Sequence, residues 1–237
     1  MQLSERIKLY ESVTDYTLSI KTPVIIRVDG KTFHSLKLNK PFDEWFIETM
    51  IGTAFFMMKN IQNAKLAYTQ SDEISILLLD TNTIETQPWL GNRLNKIVSI
   101  SAALASSYFT YQISKNKSKN MRYVQFDSRA FQLPDLEIEN YFIHRWRDCV
   151  RNSILAVAQS HYSSKVLHGK KQEDMHELLH KININWATDF SGHEKNGTII
   201  LPEEVKEAPD SVQNWKELIG QLLLNHFLPT LKEKGEI

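Results

Sequence analysis

The chain has 237 residues, of which 42% are hydrophobic and 24% are charged, and this composition excludes a mainly disordered protein. Its 28 Lys and Arg residues balance its 28 Asp and Glu residues, so any contact with nucleic acid must come from local basic patches. Cys149 is the only cysteine, and no stretch approaches the ~20 apolar residues of a membrane span; we therefore expect a cytoplasmic protein with no disulfide and no membrane partner.

Six segments in the first half of the chain have the apolar pattern of a strand or of a helix. A β-branched run ends at Asp29-Gly30, a helical pattern follows Asp43 as its N-cap, and two apolar runs flank Ser71-Asp72-Glu73 as a hairpin. The predicted elements are a strand at 23–29, a helix at 43–61, strands at 65–70 and 74–79, a helix from about 91 to 113 and a strand at 122–126.

The resulting order, β-α-β-β-α-β, is that of a ferredoxin-like domain, in which two helices cover one face of an antiparallel sheet. We therefore predict the α+β class. Helical patterns at 139–160, 173–181 and 210–232 predict a further helix and a C-terminal helical extension. We expect residues 1–165 to form the catalytic domain and residues 166–237 to pack on or beside it.

Acidic residues close the first strand and the hairpin. In the predicted strand order, Asp29 lies beside the hairpin tip that carries Asp72 and Glu73. Carboxylates at adjoining strand ends are suitable ligands for magnesium, and two such ions can stabilise the attacking and departing oxygens of phosphoryl transfer. The alternative is that these residues only form a turn and a polar hairpin tip.

Two other segments could bind phosphate groups. The first could do so through successive backbone N–H groups, and it consists of Gly30, Lys31, Thr32, Phe33 and His34. Phe33 could instead be a core residue and His34 an exposed polar one. Arg93 and Lys96 are three residues apart at the start of a predicted helix, so they share a face that could bind a second phosphate; a solvated basic helix end is the alternative.

Five segments carry a resemblance to a known family. They read RVDGKTFHSL at 27–36, AYTQSDEISILL at 67–78, RLNK and ASSYF within 93–109, FDSRAFQLP at 126–134 and YFIHRWRDCVRNS at 141–153. In these segments, which occur in the family's order, the chain resembles the tRNA(His) guanylyltransferases and their template-dependent 3′-to-5′ polymerase relatives, the guanylyltransferase-like proteins. The resemblance implies a polymerase palm-like fold and a magnesium-dependent nucleotidyltransferase that extends the 5′ end of tRNA.

The resemblance also implies the metal ligands. Asp29, Asp72 and the backbone oxygen of Gly30 would hold two Mg²⁺ ions, with Glu73 as a supporting catalytic residue. A 5′ end that is adenylylated with ATP, or that already bears a triphosphate, would be attacked by the 3′-hydroxyl of an incoming nucleotide. Positioning and charge neutralisation would do most of the catalysis.

For the nucleotides, the resemblance implies two groups of contacts. An incoming ATP, GTP or other nucleoside triphosphate would contact residues 31–34 and Ser71. Arg93 and Lys96 would hold the triphosphate at the activated end of the tRNA. The resemblance also implies a homotetramer, in keeping with a subunit that is small for a whole tRNA.

The segment at 148–153 departs from the family pattern. Eukaryotic guanylyltransferases resemble one another through a DCHINN-type segment, whereas this chain reads DCVRNS. The difference favours templated repair of 5′-truncated tRNAs, with addition of the extra 5′ G to tRNA(His) as the alternative. The expected RNA-binding residues are Arg147, Arg151 and Asn152, within the helix predicted at 139–160.

Two other classes of function stay open. A nucleotide cyclase also places two carboxylates on a palm-like sheet, but it needs only one triphosphate site. If Arg93 and Lys96 form a second triphosphate site, that site argues against a cyclase. A non-catalytic RNA-binding module would use the cations and the aromatic ring of residues 145–151 to hold single-stranded ends.

Overall fold

A computed structural model describes residues 1–31, 33, 36–116 and 123–233, with the side chains of all of these except 227–233. The strands are β1 Val24–Lys31, β2 Ala64–Gln70, β3 Glu73–Leu78, β4 Gln125–Gln132, β5 Thr198–Ile200 and β6 Val205–Glu207. The helices are α1 Leu3–Ser12, α2 Glu44–Asn60, α3 Leu94–Lys115, α4 Asp135–His161, α5 Ser164–Leu167, α6 Gln172–His180, α7 Trp186–Asp189, α8 Gly192–Asn196 and α9 Val212–Glu233. The strands form one antiparallel sheet in the order β4-β1-β3-β2-β5-β6.

The predicted α+β class and the β-α-β-β-α-β order of the first half are confirmed. The helix α2 begins after Asp43, whose Oδ1 accepts a 3.0 Å hydrogen bond from the N–H of Phe46, so the predicted N-cap is correct. The helix α3 begins at Leu94 rather than near residue 91. Residues 90–92 have φ between 54° and 61°, in the left-handed region, and cannot continue a right-handed helix.

The predicted bounds of the last strand in this unit were wrong. Strand β4 runs from Gln125 to Gln132 instead of 122–126, and it pairs with β1 along its whole length. It is an edge strand, and Asp127 and Arg129 on it are exposed. Polar residues on an edge strand lack the continuous apolar pattern of a buried strand, so the sequence pattern did not extend the predicted strand beyond Phe126.

Helices cover both faces of the sheet. The helices α2 and α3 lie on the predicted face, where Ile26 and Val28 of β1 enter their core. On the opposite face Ile25 packs with Phe142 of α4 and Trp215 of α9, whose rings are stacked with centroids 6.0 Å apart. Successive side chains of a strand point to opposite faces. The apolar run of β1 therefore contributes to both layers, and this strand is covered on both faces of the sheet.

The C-terminal segment extends the sheet as well as adding helices. Strand β5 pairs antiparallel with β2, opposing Thr198 to Thr69, and β6 then pairs with β5. The description of residues 166–237 as purely helical was therefore incomplete, and the boundary at 165/166 stays a prediction. None of the helices in the described ranges is long and apolar enough to cross a membrane.

Candidate active site

The end of β1 meets the tip of the β2–β3 hairpin, as predicted. The backbone N–H of Gly30 donates a 2.9 Å hydrogen bond to the carbonyl oxygen of Asp72. The tip consists of Ser71 and Asp72; Ser71 has a φ of 48°, and its hydroxyl donates to Asp72 Oδ1 at 3.2 Å. In the sheet register, Asp29 is opposite Glu73 on β3 and Asp127 on β4. The sequence analysis gave Asp127 no role. With the correct bounds of β4, the strand register would have placed Asp127 opposite Asp29.

The carboxylates of this site repel one another. Burial raises the pKa of Asp72, and the neighbouring charges of Asp29 and Glu73 raise it further. A divalent cation between Asp29 and Asp72 would relieve this repulsion. Mg²⁺ commonly takes one or two protein carboxylates and completes its octahedral shell with waters and substrate phosphates. Within the described residues no group of three or more His, Cys, Asp or Glu could hold a metal ion. The Asp29/Asp72 pair would supply the two carboxylates to a Mg²⁺ ion that also binds substrate phosphates.

Glu73 lies inside β3 and not at the hairpin tip, and only 8% of it is exposed. Arg145 of α4 donates to both of its carboxylate oxygens, from Nε at 2.7 Å and from Nη2 at 2.6 Å, and Arg27 Nε lies 3.9 Å from Oε2. The structure thus shows Glu73 as an ion-pair partner, and its catalytic role stays a prediction. Sequence reasoning missed the pair because 72 positions separate Glu73 from Arg145.

Gly30 is needed at its position because two side chains crowd it. A Cβ added there would lie 2.4 Å from Phe33 Cδ2 and 2.9 Å from Asp72 Cβ. Phe33 itself is buried in an aromatic cluster, with its ring centroid 5.1 Å from that of Phe109 and 5.0 Å from that of Phe126. Phe33 is therefore a core residue that also lines a neighbouring cavity. Of the other predicted phosphate contacts, Lys31 is exposed at the end of β1, whereas Thr32 and His34 lie outside the described residues.

Arg93 and Lys96 lie close together at the start of α3, but Arg93 is the N-cap and not a residue of the helix. Its guanidinium forms a two-pronged ion pair with Asp15, with Nε–Oδ1 and Nη2–Oδ2 distances of 3.0 and 2.5 Å. The hydrogen bond from Arg93 and the charges of Arg93 and Lys96 lower the pKa of Asp15. The cationic site predicted for phosphate thus holds a carboxylate. No sequence signal pointed to Asp15, which lies in an irregular segment after α1.

A cavity of about 420 Å³ opens beside the hairpin tip. Ser71 forms part of its wall, together with the loop at 36–43, Cys149 and Asn152 of α4, and His193 of α8. Burial raises the pKa of the Cys149 thiol to about 12, so this residue is an apolar wall and not a nucleophile. Asn152, predicted to bind RNA, lies where it can contact a small molecule. The volume of the cavity is in the range of small-molecule sites, and its lining includes both Ser71 of the hairpin tip and His193 of the C-terminal segment.

The basic residues of α4 divide into largely buried and exposed ones. Arg145 is bound to Glu73, and the indole N–H of Trp146 donates to Asn196 Oδ1 at 3.1 Å. These two residues therefore do not form the exposed stacking surface that a non-catalytic RNA-binding module would require. Arg147 is exposed. The side chain of Arg151 is 60% exposed although its Nη2 lies 2.9 Å from Asp148 Oδ1, so both residues can reach a large ligand.

The comparison with protein families decides the relationship. A family model described as tRNAHis guanylyltransferase matches residues 4–134, more than half of the chain. The chain belongs to the tRNA(His) guanylyltransferase family. The matched range contains Asp29, Asp72, Arg93 and Lys96, and it ends before α4, so Arg145 lies beyond it.

Individual members of the tRNA(His) guanylyltransferase family are similar over most of the chain. The probable tRNA(His) guanylyltransferase of Homo sapiens is 26% identical over 202 residues, which are 78% of this chain and 66% of the human protein. The chain thus spans just under two thirds of that relative's length. A bacterial tRNA(His) guanylyltransferase-like protein solved in complex with ATP is 36% identical, with a TM-score of 0.89 over 93% of this chain and 99% of that one. Another such bacterial structure, in complex with GTP, is 33% identical with a TM-score of 0.82, covering 93% of this chain and 98% of the other.

Proposed function

We propose that this family member is a magnesium-dependent nucleotidyltransferase that adds nucleotides in the 3′-to-5′ direction to the 5′ end of tRNA. The observation that carries the proposal is the Asp29/Asp72 pair, held together through Gly30 beside a cavity of nucleotide size. The 3′-hydroxyl of the incoming nucleotide attacks the activated 5′ phosphate; a new P–O bond forms and the bond to pyrophosphate or AMP breaks. Two bound Mg²⁺ ions would neutralise charge on the attacking and departing oxygens.

The residues of the site have distinct proposed tasks. Asp29, Asp72 and the backbone oxygen of Gly30 would hold the metals. The cavity would receive a nucleoside, with Ser71 and Asn152 as polar contacts in a mostly apolar wall. Lys31 and Phe33 are proposed to contact its phosphates, together with Thr32 and His34, which lie outside the described residues. The bacterial relatives solved with ATP and with GTP support a nucleotide as the ligand.

The phosphates of the RNA 5′ end would bind elsewhere. Arg93 and Lys96 would bind these phosphates, which would displace the carboxylate of Asp15 from Arg93. A guanidinium binds phosphate oxygens in the same two-pronged geometry that it uses with a carboxylate, so the exchange needs no rearrangement of Arg93. Arg147 and Arg151 are the proposed contacts to the body of the tRNA. We further propose a homotetramer in a reducing cytoplasm, which light scattering on the purified chain would test.

Two reactions compete within this proposal. Addition of the extra G to tRNA(His) is supported by the family description and by the name of the human relative. Templated repair of 5′-truncated tRNAs is the second candidate. It is favoured by the DCVRNS segment at 148–153 and by the higher identity to bacterial proteins named guanylyltransferase-like.

The deciding experiment compares two RNA substrates, each with a 5′ monophosphate and with a 5′ triphosphate. One is mature tRNA(His) without its extra G, and the other is a tRNA that lacks its first nucleotide. A guanylyltransferase adds G to the first and not to tRNAs of other identity. A repair enzyme extends the second, and the added base changes when the opposing template base is changed.

Two carboxylate variants are the controls. We expect Asp29→Asn and Asp72→Asn to lose transfer by about 10²–10³-fold or more while binding tRNA as wild type does in a gel-shift assay. Failure of the folded wild-type protein to extend any of these RNAs would refute the proposal. Formation of cyclic nucleotide without RNA would point to a cyclase instead.

A further inference from the structure

Arg145 of α4 forms hydrogen bonds to both strands of the hairpin that carries Asp72. The guanidinium of Arg145 donates to both carboxylate oxygens of Glu73, the first residue of β3, at 2.7 and 2.6 Å. The backbone carbonyl of Arg145 accepts a 3.2 Å hydrogen bond from the side-chain amide of Gln70, the last residue of β2. Only Ser71 and Asp72 lie between these two attachment points.

The attachment is rigid because it is satisfied and largely buried. The side chains of Arg145 and Glu73 are 14% and 10% exposed. The third arm of the guanidinium, Nη1, donates to Asp148 Oδ2 at 2.8 Å, one helical turn further along α4. A planar guanidinium with two carboxylate partners has little rotational freedom, and each bond is strengthened by charge.

The hairpin tip needs such support. Asp72 lies next to Asp29, so without a cation the two carboxylates push the tip away from β1. Ser71 adopts a left-handed backbone conformation that favours glycine. On the side of β1, one backbone hydrogen bond, from Gly30 to Asp72, opposes this repulsion. The contacts of Arg145 oppose it from the side of α4.

We propose that Arg145 is a positioning residue for the metal site. It fixes the hairpin so that Asp72 faces Asp29 before any metal binds, and it neutralises Glu73 so that this carboxylate is a structural anion and not a metal ligand. The proposal rests on the proposed function in one respect, namely that Asp29 and Asp72 bind Mg²⁺. It gives α4, which lies outside the range matched by the family model, a direct part in assembling the active site.

The test measures Mg²⁺ affinity through two independent readouts. The first is the Mg²⁺ concentration that gives half of the full rise in melting temperature, and the second is the Mg²⁺ concentration for half-maximal nucleotide transfer. We expect Arg145→Met to raise both midpoints at least tenfold and to lower kcat more than it raises KM for RNA. Arg145→Lys, which keeps the charge but loses the two-pronged geometry, should fall between Met and wild type.

A double variant separates positioning from general stability. In Arg145→Met the carboxylate of Glu73 is left buried without its partner, beside the metal site. Adding Glu73→Gln removes that stray charge but does not restore the attachment of the hairpin to α4. Arg145→Met/Glu73→Gln should therefore recover melting temperature in the absence of metal while both Mg²⁺ midpoints stay raised. The matched control is His144→Gln, which removes an exposed neighbour of Asp148 on the same helix and should change neither midpoint.

Several outcomes would overturn the assignment. Equal Mg²⁺ midpoints for wild type, Arg145→Lys and the double variant would show that Arg145 has no part in the metal site. If Arg145→Met does not fold, the Lys and double variants decide the question in the same way. A wild-type protein that binds Mg²⁺ but transfers no nucleotide would refute the proposed function, while the role of Arg145 would still be judged from the melting data.

Discussion

The N–H of Gly30 and the carbonyl oxygen of Asp72, 2.9 Å apart, join the end of β1 to the tip of the β2–β3 hairpin. This bond lies beyond the last ladder pair of the two strands, Asp29 with Glu73. It means that the two carboxylates proposed to bind metal are brought together by the backbone. Their separation therefore depends on how closely the chain at Gly30 approaches the tip.

The close approach predicts the effect of Gly30→Ala. The new Cβ would lie 2.4 Å from the Phe33 ring and 2.9 Å from Asp72 Cβ, and the Phe33 ring cannot withdraw because it is packed among other aromatic rings. We expect a loss of about 1–3 kcal/mol in the free energy of unfolding, measured by urea denaturation, and at least a tenfold loss of transfer activity. Gly220→Ala is the control: its Cβ would meet nothing within 4 Å on α9, so it should be neutral or stabilise by up to about 1 kcal/mol. A Gly30→Ala protein as stable and active as wild type would contradict the prediction.

The repulsion between carboxylates predicts that Asp72→Asn is more stable than wild type when no metal is present. The pKa of Asp72 is raised by burial and by Asp29, so above that pKa the charged form weakens the fold and its removal strengthens it. A gain of about 1 kcal/mol would raise the melting temperature by roughly 2–4 °C. Added Mg²⁺ should then stabilise the wild type but not the variant. The control is Asp127→Asn, at an exposed position opposite Asp29, which should change the metal-free melting temperature little. If Asp72→Asn is instead less stable than wild type without metal, the argument is refuted.

The convergence of Asp29 and Asp72 could be predicted from the sequence because it follows from strand order alone. Once the first half is read as β-α-β-β-α-β, the end of β1 must lie beside the hairpin. The N-cap at Asp43 and the apolar pattern of α2 were equally visible, since both are local signals. Local patterns therefore gave the framework and the position of the proposed metal site.

Contacts between distant positions could not be predicted in the same way. Arg145 reads as a surface cation on a helix, and only the packing of α4 against the sheet shows that it pairs with Glu73, 72 positions earlier. Arg93 and Asp15 are 78 positions apart. The opposite face of the sheet, covered by α4 and α9, was missed because nothing in an amphipathic helix specifies which surface it covers. Side-chain partners thus depended on tertiary packing, which periodicity does not encode.

The ion pair between Arg93 and Asp15 predicts that Asp15→Asn binds RNA 5′ phosphates more tightly. Asp15 occupies the guanidinium that is proposed to hold the 5′ triphosphate. Without that carboxylate, KM for a 5′-triphosphorylated tRNA should fall severalfold with little change in kcat, whereas Arg93→Ala should raise KM. The difference between Asp15→Asn and wild type should shrink at high salt, because exposed charges are screened. A tRNA with a 5′ hydroxyl is the control ligand in a binding assay. If Asp15→Asn raises KM instead, Asp15 orients Arg93 and does not compete with phosphate.

The backbone at Gly197, between α8 and β5, predicts a strongly destabilised Gly197→Ala. Its φ of 80° and ψ of −166° lie in a region that is open essentially to glycine alone. An added Cβ would also lie 2.7 Å from the carbonyl oxygen of Thr69. We expect a loss of at least about 2 kcal/mol in the free energy of unfolding. Gly169→Ala is the matched control, because Gly169 has a φ of 74° but an added Cβ would meet nothing within 4 Å. It should lower the free energy of unfolding by only about 1–2 kcal/mol. Equal losses in the two variants would show that the contact with Thr69 is unimportant.

His226 on α9 predicts a loss of stability in mild acid. It is 8% exposed, and its Nε2 lies 2.6 Å from the hydroxyl oxygen of Thr81. Burial and the charge of Lys65 lower the pKa of His226 to about 4, although Asp80 opposes them, whereas an unfolded histidine has a pKa of about 6.5.

Between these two values the unfolded chain binds a proton that the folded protein does not. The contribution of His226 is therefore fully present above about pH 6.5 and is lost as the pH falls toward 4, by roughly 2–3 kcal/mol in total. Urea unfolding at a series of pH values should show this slope in wild type and a shallower one in His226→Gln, whose amide can still pair with Thr81. The two proteins differ only at position 226, so the difference between the two curves reports the imidazole and its interactions with neighbouring charges. Parallel curves would show that His226 titrates in the folded protein as it does in the unfolded chain.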